Sequence, residues 1–182
     1  MNKIVILGIS IFVLIIIFLV ISIIISKNKI KESMIPLDMS KEKINNYIRQ
    51  KYKLYKEITK FIKYNLSIKE DAFKKFLDFN AKECTYEELI DLLDSTTYEI
   101  NEYVDNYDEL LKNKDFLNLK KKLYDTEINL EATTEYYNNK TIIYNNLKNN
   151  GPTSFATKFF DFDEYNPINI DKKEITRLIN LN

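Results

Sequence analysis

Catalysis needs particular side chains at particular spacings, and this sequence offers few of them. Histidine is absent, which removes Ser-His and Cys-His nucleophilic systems and the Glu-x-x-His ligands of di-iron bundles. Glu99, Glu102, Asp105 and Glu109 form an acidic stripe at helical spacing, which is either a solvated face or a cation site; the solvated face is the simpler reading. "DFDEYNPINID" from Asp161 sets Asp161, Asp163 and Asp171 in a series resembling a calcium loop. It lacks the glycine that permits the loop's sharp turn, and Pro167 opposes the match further. Cys84 is the only cysteine. It stands beside Lys82 and Glu83 just before a predicted helix start, and without a His base it reads as a buried or incidental thiol. No Gly-rich phosphate loop is present. These residues predict no enzyme, no metal and no cofactor.

Composition narrows the partners. Net charge is zero, and acidic and basic residues are interleaved, unlike the clustered basic face that nucleic acid requires. A lone thiol leaves no disulfide framework and fits a reducing compartment. The basic residues are nearly all Lys, with Arg only at Arg49 and Arg177; with the many Asn and Ile, this suggests an A/T-rich bacterial genome.

The elements that position these residues begin with an apolar run from Ile4 to Ile25, interrupted only by Gly8, Ser10 and Ser22. At about 1.5 Å per residue it matches a hydrocarbon core of roughly 30 Å. It ends Ile-Ile-Ile-Ser-Lys, a poor cleavage site, so it reads as a retained transmembrane helix rather than a signal peptide. Lys27, Lys29, Lys31, Lys41 and Lys43 after the run outnumber Lys3 before it, which places the following domain on the cytoplasmic side of a bacterial cell membrane, single-pass.

Beyond the span the only glycine is Gly151 and the only prolines are Pro36, Pro152 and Pro167. Strands need turn residues at regular intervals, so the sequence predicts an all-α fold: one N-terminal transmembrane helix, then an antiparallel up-and-down helical bundle. Pro36 predicts a helix break. The expected organisation is a membrane anchor over 1–36 (span 4–25), a bundle over 37–165, and a tail with a short helix over 166–182.

Ile44, Ile48, Tyr52, Tyr55, Ile58, Ile62 and Leu66 make one amphipathic stripe. Ser67 with Glu70 fits a capping box for a helix carrying Phe73, Phe76 and Leu77. Thr85 with Glu88 opens another, with Leu89, Leu92, Leu93, Thr96, Ile100, Tyr103, Tyr107 and Leu110 inward. A long helix follows from about Asp115 to Asn149, and Asp171 with Glu174 caps a tail helix over Ile175–Ile179.

The long helix has a heptad pattern of coiled-coil type. Phe116, Leu123, Leu130, Tyr137 and Tyr144 recur at seven, while Leu119, Thr126, Thr133, Lys140 and Leu147 fill a weaker second seam, which suits a bundle helix. Within it, Tyr-Asn occurs twice, at Tyr137-Asn138 and Tyr144-Asn145. Seven residues fall about 20° short of two turns, so the tyrosines share one face and the asparagines a neighbouring one, beside Glu127 and Thr134. The asparagines are solvated, fix register, or line a ligand or partner groove.

With Phe116, Leu119, Leu123, Thr126, Glu127, the two Tyr-Asn pairs, Pro152, Ala156, Phe160 and Phe162 in order, residues 116–162 resemble the C-terminal part of the LemA family of bacterial membrane-anchored helical proteins. Thr134 stands where that family usually has Arg, so Glu127 lacks a partner on its own helix. Gly151 replaces a Phe, Asp161 replaces a Gly, and the family's N-terminal basic pair with Asp-Leu-Ile-Pro-Asn-Leu is absent from residues 37–85. The resemblance implies an α-helical bundle behind one membrane span and no known catalytic activity.

The functional expectation is a non-catalytic, membrane-anchored scaffold or protein-interaction module, inserted in the bilayer through residues 4–25 and binding a membrane or cytoplasmic protein. Tyr98, Tyr103 and Tyr107 with Glu99, Glu102 and Asp105 form the expected interaction face. The alternative is a membrane-anchored sensory or regulatory domain that binds a small ligand.

Overall fold

The computed structural model describes residues 3–66, 68, 71–80 and 84–169. Ser67, Glu70, Lys82, Glu83, Asp171 and the expected tail helix over Ile175–Ile179 lie outside the described residues. The described chain is helical without strands: α1 (Lys3–Leu66), α2 (Lys74–Leu77), α3 (Tyr86–Asn106), α4 (Asp108–Lys112), α5 (Lys114–Asn149) and a 3-10 helix (Pro152–Lys158). The all-α class expected from the missing turn residues is the observed one.

The apolar run and the first bundle helix belong to a single helix of 64 residues. Side chains from Val5 to Ile21 are exposed, so this stretch is long and apolar enough to cross a membrane. The break expected at Pro36 is corrected: α1 passes through it. An interior proline costs about 3 kcal/mol because one amide donor is lost and the ring crowds the preceding turn. The buried neighbours Ile30, Leu37 and Ile44 each contribute about 1.5–3 kcal/mol by leaving water, which is enough to carry the helix past it.

Two compact units divide the chain. One comprises the described residues of Met1–Lys41 and Glu135–Ile168; the other, those of Glu42–Thr134 and Asn169–Asn182. In the second unit the buried apolar residues include Ile44, Ile48, Tyr55, Ile58 and Ile62 of α1, Leu89, Leu92, Leu93 and Ile100 of α3, and Phe116, Leu123 and Leu130 of α5. Phe61 packs on Phe116 at 5.8 Å while Lys51 reaches Glu127, so α5 runs antiparallel to α1. The Tyr55–Thr97 hydroxyl pair lies one turn along both helices from the Lys51–Asp94 proximity, so α3 runs parallel to α1.

That direction requires the connector after α1 to return along the bundle. Among its described residues the helical part is α2, Lys74–Leu77. Phe73 adopts a left-handed conformation, φ 58°, and its N–H donates to the Glu99 carboxylate at 2.9 Å. Burial of its ring beside Tyr103, 5.2 Å away, offsets strain of about 1–3 kcal/mol.

The Thr85–Glu88 capping box forms as expected. Glu88 also has a lowered pKa through the Thr85 backbone and hydroxyl bonds it accepts. The helix it opens stops at Asn106; Tyr107 turns the chain into α4, and Tyr107 is exposed rather than inward. The buried threonines Thr59, Thr96, Thr126, Thr134 and Thr141 donate their hydroxyls to carbonyls four residues back, so they enter the core without needing cross-helix partners.

Candidate functional site

Asparagine is a poor helix former because its amide competes for backbone hydrogen bonds. On α5 the competition is resolved outside the helix. The Asn138 amide donates to the Ile168 carbonyl at 2.9 Å and accepts from the Ile168 N–H at 2.8 Å, pairing with a main chain as a neighbouring strand would. Seven residues on, Asn145 donates to the Tyr165 carbonyl at 3.4 Å. The Tyr144 hydroxyl donates to the Asp163 carbonyl, and Lys148 Nζ reaches the carbonyls of Phe162 at 3.2 Å and Asp163 at 3.4 Å.

The spacing has a simple metric origin. Seven helical residues advance about 10.5 Å, and three extended residues about 10 Å. Positions 138 and 145 therefore match Ile168 and Tyr165 of a segment running antiparallel to α5, and the Tyr-Asn repeat is a clamp for extended chain. Recognition is of backbone, save at Tyr165. That ring is 6% exposed, sits edge-on to Tyr144 at 5.0 Å, and donates its hydroxyl to Asp38 at 2.6 Å. Burial first, then the Asp38 carboxylate that accepts its proton, raises the Tyr165 pKa. Burial likewise raises Tyr137 and Tyr144. The amides of Asn138 and Asn145 thus bond this chain's own main chain at Ile168 and Tyr165, rather than solvent, a facing bundle helix, a ligand or a partner.

Higher on α5, in the other unit, Glu127 is buried with Lys51 of α1, nitrogen and oxygen 2.9 Å apart and side chains 6% and 3% exposed. Burial opposes the Lys51 charge, but the Tyr55 oxygen, Glu127 and Asp94 outweigh it and hold its pKa above the ordinary value. The partner that Glu127 lacks on its own helix at Thr134 thus comes from a different helix. Sequence reading missed Lys51, although it falls between Ile48 and Tyr55 in register with the buried stripe of α1. It also missed Asp38, Lys148 and Tyr165, whose roles depend on contacts more than a dozen residues away.

The remaining signature positions are structural. Phe116 and Leu123 are buried, Leu119 is half-buried, Pro152 is exposed at the first position of the 3-10 helix, and Phe162 is half-buried. Gly151 ends α5 at φ 72°, ψ −165°, a region open to glycine and strained for other residues; this accounts for glycine where the resemblance predicts Phe. The acidic stripe and the expected tyrosine face are partly committed inside the fold. Glu99 holds Phe73, and Tyr103 packs between Phe73 and Tyr107 at 5.2 and 6.2 Å. Tyr98, Glu102 and Asp105 remain exposed. Residues 161–169 carry no regular secondary structure.

No curated protein and no solved structure matches the chain. A family model, that of the LemA family, matches residues 40–180, extending well beyond the stretch whose motifs carried the resemblance. With the Tyr-Asn clamp, the buried Glu127 and a match over most of its length, this chain belongs to the LemA family.

Proposed function

We propose that this protein is a non-catalytic, single-pass interaction module of a bacterial cell membrane, held in the bilayer by residues 4–25 with its helical units on the cytoplasmic side. It binds a protein partner through helix surface. The observation that carries this reading is the outer face of α5 in the second unit. Leu117, Tyr124 and Ile128 are all exposed there and lie within about 40° of one another at 100° per residue. They lie about 120° round α5 from the buried Phe116–Leu123–Leu130 series and are left uncovered by the bundle. Exposed apolar residues aligned on one face mark protein contacts, and a tyrosine among them adds contact area with few rotamers to freeze.

The test is a photo-crosslinking amino acid at Ile128 in membrane-embedded protein, followed by identification of what is captured. With the crosslinker kept at position 128, Leu117→Glu with Tyr124→Glu should leave helicity intact and abolish capture. Capture that survives both substitutions would rule this face out, and turnover of any substrate by the purified protein would end the non-catalytic reading.

A further inference from the structure

We propose that the turn after α5, residues 151–160, is a second membrane contact, with Phe155 and Phe159 seated in the headgroup–acyl boundary beside the span. The inference rests on the reading of residues 4–25 as a transmembrane helix and adds a lipid-facing surface to it. Three observations carry it, all within the unit formed by Met1–Lys41 and Glu135–Ile168.

The first is level. Lys27 Nζ lies 4.0 Å from the centroid of the Phe160 ring. Ser26 and Ile30 are buried, and Ser22 and Ile23 half-buried, whereas the preceding side chains from Val5 to Ile21 are exposed. The turn therefore packs on α1 where the apolar run gives way to lysines, which is where a spanning helix leaves the hydrocarbon. The second is composition. Phe155 is 54% and Phe159 60% exposed, two large apolar rings from one short turn that the protein itself leaves uncovered. Aromatic rings concentrate at the membrane–water boundary.

The third is charge. Lys158 Nζ stands 4.7 Å from the Phe155 ring centroid, and Lys27, Lys29 and Lys31 follow the end of the apolar run. Lysine stems lie along apolar surface while their ammonium groups reach headgroups, and anionic lipid attracts such a cluster. The occupant that fits is a bilayer surface containing anionic lipid, continuous with the lipid around residues 4–25.

The chain contains no tryptophan, so single tryptophans report depth without background. Full-length Phe155→Trp and Phe159→Trp proteins are reconstituted in phosphatidylcholine–phosphatidylglycerol vesicles, with Phe18→Trp in the apolar run and the exposed Tyr98→Trp as references. Lipid chains brominated near the headgroup should quench both turn tryptophans severalfold more strongly than the Tyr98 reference, with emission shifted to the blue. If Phe18→Trp is quenched while both turn tryptophans match the Tyr98 reference, the turn lies in water and the inference is overturned, the span standing. If Phe18→Trp also escapes quenching, the span reading has failed and the inference with it. Both turn positions are exposed, so either variant folds independently of the other's tolerance, and quenching of neither in folded protein is decisive.

Discussion

Removing Lys51 should reveal how much the fold depends on the buried pair it makes with Glu127. At 2.9 Å, with side chains 3% and 6% exposed, the pair is too deep for water to take over either charge. Lys51→Met keeps an unbranched apolar stem but leaves the Glu127 carboxylate in the core without its cation. Breaking a buried pair from one side costs about 3–5 kcal/mol. For a folded region of this size, where 1 kcal/mol moves the midpoint by about 2–4 °C, the melting temperature should fall by about 6–20 °C. Glu127→Met, which strands the ammonium, should cost a similar amount. The double substitution removes both charges and replaces them with well-packed apolar groups, which is neutral or stabilising by up to about 4 kcal/mol. The double-mutant cycle should therefore show a coupling far larger than the few tenths expected of independent sites. Far-ultraviolet circular dichroism melts of the detergent-solubilised full chain supply the four numbers. A Lys51→Met loss below about 1 kcal/mol, within the range of a surface ion pair, or additivity of the two singles, would refute the reasoning.

The pair and the clamp also set an alkaline limit. Lys51 has a raised pKa, so its contribution is fully present below the ordinary 10.5 and is lost as pH rises through the folded value. Tyr165, Tyr144 and Tyr137 are raised above 10.0 by burial, so the clamp is fully held below pH 10 and loosens progressively as pH rises from there through the folded values, read as new proteolytic cleavage within the 161–168 segment. Asn138→Ala removes both partners of Ile168 and should cost about 1–3 kcal/mol at about 1 kcal/mol per hydrogen bond, with loss of hydrogen-exchange protection at the Ile168 amide. Gly151→Ala meets nothing within 4 Å at the new Cβ, so its cost is backbone strain alone, about 1–3 kcal/mol, seen as a lowered melting midpoint. In a Cys84→Ser chain, a cysteine at the exposed Glu102 position should resist an impermeant maleimide on intact cells; efficient labelling would reverse the proposed orientation.

The sequence by itself determined the helical class, the apolar stretch, the Thr85–Glu88 cap and the inward series of α5, because each follows from short-range chemistry: periodicity, capping and the absence of turn residues. The family was legible too, because ordered motifs at fixed spacing survive divergence. Tertiary structure decided the rest. Pro36 breaks a helix by local rules, yet buried neighbours outweigh its cost. The return of the connector, and with it the parallel run of α1 and α3, depends on a buried left-handed Phe73 that no propensity predicts. Glu127 looks unpartnered on α5 because its partner is far away in sequence on α1. The asparagines of the Tyr-Asn pairs look like helix defects until an extended segment lies beside them, since a side-chain amide is satisfied by whatever backbone the fold brings within hydrogen-bond reach. Local rules fix what one element can do alone; which distant groups meet is set by packing, where the energies that override those rules reside.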